Sequence, residues 1–243
     1  GAAIEPSRVT MPRGGFAARL PLLAGLAGLV LLAITFVAGA GDPAQLYHPY
    51  LLSWLYFVTL AVGGLSFVLL QHLTRAGWSV VVRRLAEAVA ATLPLLALLG
   101  VPLAFGLHSL YHWTHEEAVA ADPLLQHKSP WLDPSFFLIR AAVYLTVWSW
   151  LGWWFWRQSQ RQDAMGALAL TRRMQAASAP AMLVFGLTLT LAAFHWVMSL
   201  DPHWFSTVFG VYFFAGVAIV AFSLLILLAL ALQRMGTLSG IVN

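Results

Sequence analysis

The sequence predicts an all-α integral membrane protein with six transmembrane helices, and three observations predict it. The chain of 243 residues is 60% hydrophobic and only 9% charged, whereas soluble domains carry about 25% charged residues. It contains six apolar stretches of the ~20 residues that a membrane-spanning helix needs. Arginines cluster at alternate ends of these stretches. The expected helices are 16–40, 50–73, 85–108, 135–156, 178–200 and 205–232.

The distribution of basic residues predicts the orientation of the chain. Eleven of the thirteen lysines and arginines fall on one side of the predicted spans. These are Arg8, Arg13, Arg19, Arg75, Arg83, Arg84, Arg157, Arg161, Arg172, Arg173 and Arg234. Because basic residues accumulate in cytoplasmic connections, both termini are expected in the cytoplasm. We find no repeat of fixed period and no low-complexity linker, so residues 1–243 are expected to form a single transmembrane domain.

The first apolar stretch admits two interpretations. The residues "VAGA" at its end offer a small-residue cleavage site, as in a signal peptide. The apolar run is longer than the 7–15 residues or so of a signal-peptide core. A retained first helix is therefore the favoured expectation.

Composition also excludes several functions. The isoelectric point near 9.9 does not indicate nucleic-acid binding, because the basic residues are scattered beside apolar runs. The chain has no cysteine, so it cannot supply a disulfide, a thiolate zinc site, an iron–sulfur cluster or a thioether haem attachment. Between the spans, "THEEAVAA" predicts a short helix capped by Thr114 in the long outer loop 109–134. Residues 157–177 predict a basic segment lying on the inner membrane surface.

Polar residues near the outer ends of the spans are candidates for function, because ionisable groups are costly at membrane depth. Thr188, His195 and Ser199 share one helical face, which could form a path for protons or a quinone head group. The alternative is a buried histidine bonded to a neighbouring helix. Arg140, one turn from Tyr144, could neutralise an acid such as Asp201, orient a quinone oxygen or extend outward to water.

A second group of candidates lies at the inner ends. Glu87 follows Arg83 by four residues, which favours a local ion pair. The alternative is an inner proton-entry carboxylate joined by Gln71 and His72. Between Glu87 and His108 there is no titratable residue over about 31 Å of helical rise. Two proton half-paths are therefore conceivable, whereas a continuous path would need water or a neighbouring subunit.

The histidines of the outer loop could in principle bind a metal. His108, His112 and His115 would share one face of a continuous helix, but a hydrated cluster at the membrane interface is favoured. A haem held by two histidines is disfavoured, because His72 and His108 lie at different depths. We therefore expect no metal bound by this chain.

Three stretches resemble a known membrane-protein family. They are "LLQHLTRAGWSVVVRRLAE" at 69–87, "KSPWLDPSFFLIRAAVYL" at 128–145 and "LTRRMQAASAPAMLVFGLTLTLAAFHWVMSLDPHWFSTVFGVYFFAG" at 170–216. They are similar to the F subunit of alternative complex III, a bacterial quinol:electron-acceptor oxidoreductase. That subunit is of the NrfD/polysulfide-reductase membrane family. The resemblance implies a fold of about ten helices, of which this chain would supply helix 1, one four-helix bundle (helices 2 to 5) and helix 6.

The resemblance also carries expectations for individual residues. Those on the matching stretches are His72, Arg140, Asp201, His203, Ser206 and Thr207. The chain stops at "GIVN", where the family would continue, so it is expected to be incomplete relative to that family. His195 stands where an aspartate is expected in relatives, which changes the charge at that position.

The expected function follows from this resemblance. The chain would be a non-catalytic membrane subunit that anchors partners and provides proton half-paths or part of a quinone environment. The resemblance implies quinol or menaquinol as substrate, with haem c and iron–sulfur clusters held by partner subunits. Expected partners are an NrfD-like paralogue, an iron–sulfur protein, cytochrome c subunits, lipids and a terminal oxidase, in a bacterial inner membrane. The alternatives are half of a secondary transporter and a purely structural scaffold.

Overall fold

The computed structural model describes residues 16–77 and 79–235. Within these ranges the chain forms helices joined by turns and short loops, with no β-strand. The helices are α1 Phe16–Gly39, α2 Pro43–Leu73, α3 Val80–Ala90, α4 Leu93–Phe105, α5 Leu107–Leu110, α6 Glu116–Ala121, α7 Pro123–Lys128, α8 Pro134–Met165, α9 Leu168–Trp196 and α10 Phe209–Arg234. Six spans are long and apolar enough to cross a membrane. The predicted all-helical fold with six helices able to span a membrane is therefore confirmed for the described residues. The orientation stays a prediction, and Arg8 and Arg13 lie outside the described residues.

The chain divides into two compact units. The first comprises Gly1–Leu46 and Ile226–Asn243, and the second comprises Tyr47–Leu225. In the first unit, α1 exposes apolar side chains all round, as a helix surrounded by lipid does. Its end packs against Leu46, because a Cβ on Gly39 would lie 2.8 Å from the Leu46 Cβ. The predicted single domain 1–243 stays a prediction.

Close backbone approaches hold the second unit together. A Cβ on Gly64 of α2 would lie 2.9 Å from the carbonyl oxygen of Ala86 in α3. A Cβ on Gly152 of α8 would lie 2.7 Å from the carbonyl oxygen of Ala90. Glycine is the residue that lets membrane helices pack this closely. The C-terminal half of α3 is therefore packed between α2 and α8.

Side chains of α2 bond to the backbone of α4. The Tyr50 hydroxyl donates to the Leu99 carbonyl at 2.6 Å, and the Trp54 indole N–H donates to the Leu96 carbonyl at 2.8 Å. Trp54 also contacts Trp196 of α9 edge-to-face, with ring centroids 5.0 Å apart. These contacts join α2, α4 and α9 around an aromatic core.

The third span differs from the prediction of one helix over 85–108. It is divided at Ala91–Thr92 into α3 and α4, and α5 follows as a separate turn. Pro94 explains the break, because a proline has no N–H to donate to the carbonyl four residues earlier. In the first turn of α4 that missing donor costs nothing. The second span also begins at Pro43 rather than at residue 50.

The prediction that residues 157–177 form a surface-lying segment is wrong. They belong to α8 and α9, which continue to Met165 and from Leu168. Gly166 links the helices with φ 61°, a left-handed conformation that favours glycine. Its N–H donates to the Gln162 carbonyl at 2.8 Å. The arginines of this segment therefore lie on a long helical hairpin formed by α8 and α9.

The outer loop 109–134 contains two short helices, one more than predicted. Thr114 does not cap the first of them, because its hydroxyl donates to the Tyr111 carbonyl and His115 occupies the N-cap position of α6. Asp122 caps α7 by accepting the Leu124 N–H at 2.8 Å. This bond, with a smaller contribution from His203, holds the pKa of the Asp122 carboxyl below its ordinary value.

Candidate functional site

The first site is a buried pair formed by Arg140 of α8 and His195 of α9, and we call it the outer site after the predicted orientation. Arg140 Nε donates to His195 Nδ1 at 3.2 Å, and His195 Nε2 lies 2.9 Å from the Phe137 carbonyl. Nδ1 therefore accepts and Nε2 donates, which is the arrangement of a neutral imidazole. The ring also stacks on Phe137, with centroids 3.6 Å apart. Both nitrogens of His195 are thus committed within the protein, which favours the buried, bonded interpretation of this residue.

Arg140 is held more tightly than an arginine that extends to water. Its guanidinium lies over the rings of Trp131 and Phe136, at 3.9 and 4.1 Å from their centroids. One terminal nitrogen donates to the Trp131 carbonyl at 2.6 Å. The other terminal nitrogen, Nη1, is buried without a hydrogen-bond partner among the described residues. Arg140 therefore keeps one donor for an acceptor that the described chain does not supply.

The remaining polar groups of the predicted outer stripe are occupied. Thr188 accepts the Trp148 indole N–H at 2.8 Å and donates to the Val184 carbonyl. The Ser199 hydroxyl donates to the His195 carbonyl. Tyr144 is buried and contacts the His195 ring edge-to-face, with centroids 5.8 Å apart. The stripe is a set of local bonds and not an open channel.

Two pairs bond the outer loop to the bend after α9. His203 Nε2 lies 2.6 Å from the Asp122 carboxylate, and Lys128 Nζ donates to the Pro202 carbonyl at 2.5 Å. Asp201 is exposed and accepts the backbone N–H of His203. Asp201 and Arg140 are therefore not brought into an ion pair. Sequence spacing gave no signal for these pairs, because each joins residues more than 70 positions apart.

Two aromatic side chains make further bonds to the same bend. The Tyr111 hydroxyl donates to the Trp196 carbonyl at 3.1 Å, and the Trp113 indole N–H donates to the Ser199 carbonyl at 3.0 Å. Both side chains are buried, and burial raises the pKa of Tyr111. The outer loop thus covers the end of α9 and is held there by these hydrogen bonds.

The three histidines of the outer loop do not share one helix, as a metal site on a continuous helix would require. The helix ends at Leu110, and His112 begins a separate 3-10 turn. The His108 and His115 rings still lie 3.8 Å apart, and the Thr114 hydroxyl bonds to His108. Across residues 16–77 and 79–235, no group of three metal-binding side chains is arranged to hold an ion.

A second outer feature is an apolar cavity of about 320 Å³ between α2, α4 and α8. Trp54, Tyr111, Phe137 and Trp196 provide its aromatic walls. The indole N–H of Trp54 and the hydroxyl of Tyr111 are already bonded to backbone carbonyls. The cavity therefore presents mainly hydrocarbon and ring faces, which suit an apolar chain better than a polar head group.

The inner site is centred on Glu87, which is only 1% exposed. Arg84 donates to one Glu87 oxygen at 2.9 Å and pairs with Asp163 of α8. Arg83 Nε lies 3.4 Å from the other oxygen, Oε1. The predicted local ion pair with Arg83 is therefore present. It belongs to a larger network between α3 and α8.

The inner site lines a half-open polar cavity of about 330 Å³. We call it the inner cavity, and its walls are Arg83, Arg84, Glu87, Ser159, Gln162, Asp163 and Gly166. Four buried atoms at this end of the protein lack a hydrogen-bond partner among the described residues. They are His72 Nε2, Arg83 Nε, Glu87 Oε1 and Gln158 Oε1.

The neighbouring predicted residues take different roles. Gln71 accepts a hydrogen bond from the Ser79 hydroxyl at 2.7 Å, whereas the His72 ring lies 5.5 Å from the Phe155 ring. Sequence reasoning missed Gln158, Ser159 and Asp163, because they were assigned to a surface-lying segment. A signal was present: Leu151, Phe155 and Gln158 recur at spacings of four and three, so they continue the buried face of α8.

Comparisons with known proteins add no identity to this geometry. No protein-family model matches the sequence, and a search of curated proteins found no match.

Proposed function

We propose that this chain is a membrane subunit of a respiratory quinol:electron-acceptor oxidoreductase similar to alternative complex III, in a bacterial inner membrane. It anchors partner subunits, provides a proton half-path at the end of the spans that holds Glu87, and contributes part of a quinone environment at the other end. The proposal rests on the resemblance of three sequence stretches to the F subunit of that complex. The separation of the polar sites in the second unit supports it.

That separation is the structural observation that supports the proposal. Arg140 at the outer site and Ser159 at the inner cavity lie on the same helix, about 28 Å apart by helical rise. Between Arg140 and Arg157 the helix carries no Asp, Glu, His, Lys or Arg. The same is true between Glu87 and His108, and between Arg173 and His195. The half-path at Glu87 therefore does not continue through the chain, and a complete path would require water or a partner.

Two features of the outer end support a place beside a quinone. The apolar cavity of about 320 Å³ suits an isoprenoid tail. Arg140 Nη1 is a buried donor without a partner among the described residues, and a quinone oxygen or a partner's carbonyl would satisfy it. The chain itself supplies no redox group in this proposal. Haem c and iron–sulfur clusters would belong to the NrfD-like, iron–sulfur and cytochrome c partners.

Co-purification tests the proposal. The tagged chain, extracted from its native membrane in mild detergent, should bring down proteins that carry haem c and iron–sulfur clusters. The isolated assembly should oxidise menaquinol, whereas the separated chain should not. A matched control is another tagged multi-pass protein from the same membrane. A chain that purifies alone under conditions that preserve its fold would contradict the proposal.

Half of a secondary transporter is the second candidate, and the break at Ala91–Thr92 favours it. Transporter sites often lie at broken helices near the membrane midplane, and this break lies about 14 Å along the span from Val82. The Thr92 hydroxyl at this break is not free to bind a solute, because it donates to the Val89 carbonyl at 2.7 Å. Solute uptake by vesicles that contain the chain alone would support transport and overturn the subunit proposal. If the complex assembles and substitutions at the polar sites do not change its activity, the chain is a structural scaffold.

A further inference from the structure

Two residues that line the inner cavity each have a buried polar atom without a hydrogen-bond partner among the described residues. Glu87 lines the cavity, and the Ser159 side chain hydrogen-bonds to its carboxyl group. Its Oε1 atom is buried and has no hydrogen-bond partner among the described residues. Arg83 Nε, also on the cavity wall, is in the same condition. The two atoms lie 3.4 Å apart, close enough to attract each other but without hydrogen-bond geometry. Buried polar atoms in native proteins are nearly always satisfied, by protein or by ordered water.

The cavity has room for that water. Its volume of about 330 Å³ exceeds the share of roughly 30 Å³ that one molecule occupies in the liquid. A buried water needs two to four polar partners, and the walls provide carboxylates, guanidinium groups, a hydroxyl and an amide. We infer that the inner cavity binds a cluster of water molecules around Glu87, and that Glu87 is the group that exchanges a proton with this water.

The charged groups that face Glu87 confine such a proton exchange to its immediate surroundings. Arg83 and Arg84 face it from α3, and Asp163 faces it from α8. From α2, His72 lies within the field of Arg83. When hydronium transfers a proton, one O–H bond breaks on hydronium and one forms on Glu87. Water and a neutral acid remain. Arg84 then stays paired with Asp163.

The exposed fractions of the side chains show where the inner cavity meets the protein surface. The Asp163 side chain is 64% exposed and the Arg84 side chain 33%, whereas Glu87 is buried. The Arg84–Asp163 pair is therefore the wall between Glu87 and the inner surface. The use of this proton for an inner half-path rests on the proposed function. The hydration of the cavity does not.

The absence of cysteine from the sequence makes the cavity accessible to a clean experiment. A single Ser159→Cys variant of the full chain, in lipid nanodiscs, is treated with 2-aminoethyl methanethiosulfonate, which reacts with the hydrated thiolate. The matched control is Met174→Cys. Ser159 lies seven residues before Gly166 and Met174 seven residues after Ala167. Both are buried, and only Ser159 lines the inner cavity.

We expect Ser159→Cys to react at least about tenfold faster than Met174→Cys, because only a hydrated thiol ionises readily. Equal, slow reaction of the two would mean a dry cavity and would overturn the inference. Adding Glu87→Leu should slow the reaction of Ser159→Cys severalfold, because it removes the polar group that holds water. Adding Glu87→Gln, which keeps a polar group, should preserve it. An unchanged rate in the Glu87→Leu variant would exclude Glu87 as the group that holds the water.

Infrared spectroscopy tests the proton on Glu87. The full chain should show a carboxylic-acid C=O band that changes with pH, shifts in D₂O and is missing in Glu87→Gln. A titration identical in the two proteins would contradict proton exchange at Glu87. Both experiments use the chain without partners. A failure here therefore refutes the hydrated cavity, whereas a failure of co-purification refutes the subunit role.

Discussion

Both ring nitrogens of His195 are bonded within the protein. Its two ring nitrogens bond to Arg140 and to the Phe137 carbonyl, and its own carbonyl accepts the Ser199 hydroxyl. A proton carrier must release and rebind protons, which would break one of these bonds each time. Protonation of Nδ1 would also place two cations in contact. The geometry therefore assigns His195 a part in holding α8 to α9.

We predict that His195→Ala lowers the free energy of unfolding by about 2–5 kcal/mol. The loss combines a cavity with two buried groups that lose their partner, Arg140 Nε and the Phe137 carbonyl. Denaturant unfolding in detergent, followed by tryptophan fluorescence, measures it. The control is Leu187→Ala on the same helix, whose side chain is 68% exposed and should matter little. A change below about 1 kcal/mol for His195→Ala would refute the structural assignment.

The sequence identified these side chains but could not choose among their roles. Arg140 was expected to neutralise Asp201, to orient a quinone oxygen or to extend to water. Its actual acceptors, His195 and the Trp131 carbonyl, follow from how α8 packs on α9 and on the loop before it. Hydropathy reports depth in the membrane. It does not report which residues of two helices, 55 positions apart, come into contact.

At Gly152, α8 approaches the backbone of α3 closely. We predict that Gly152→Ala lowers the free energy of unfolding by about 1–3 kcal/mol, because its Cβ would lie 2.7 Å from the Ala90 carbonyl oxygen. The matched control is Gly186→Ala in α9, where a Cβ meets nothing within 4 Å. Its expected effect is neutral or slightly stabilising. Thermal unfolding of both variants in the same detergent checks this, and equal effects would refute the close packing.

Helix type was predictable, whereas helix ends were not. The apolar run of the fourth span stops near residue 156, so the predicted helix stopped there too. The helix continues to Met165 because arginine, glutamine and alanine favour helix in water as well. The real stop is Gly166, whose φ of 61° other residues rarely adopt. Conversely, Pro94 divides a run that hydropathy treats as uniform.

For the whole molecule, the arginine distribution predicts which ends of the spans face the cytoplasm. In intact cells, a membrane-impermeant thiol reagent should label Asp201→Cys and should leave Met165→Cys unlabelled until the cells are opened. Both native side chains are exposed. The natural chain has no cysteine to add background. The reverse pattern would invert the orientation and, with it, the assignment of inner and outer sites.

The bonds from α2 to α4 have a mechanical consequence. Tyr50 and Trp54 lie four residues apart, and the carbonyls that they reach, on Leu99 and Leu96, lie three apart. A slide or rotation of one helix against the other would leave both donors in hydrocarbon, where unmet polar groups are expensive. In any rocking motion between the two membrane faces, α2 and α4 must therefore move together as one rigid body.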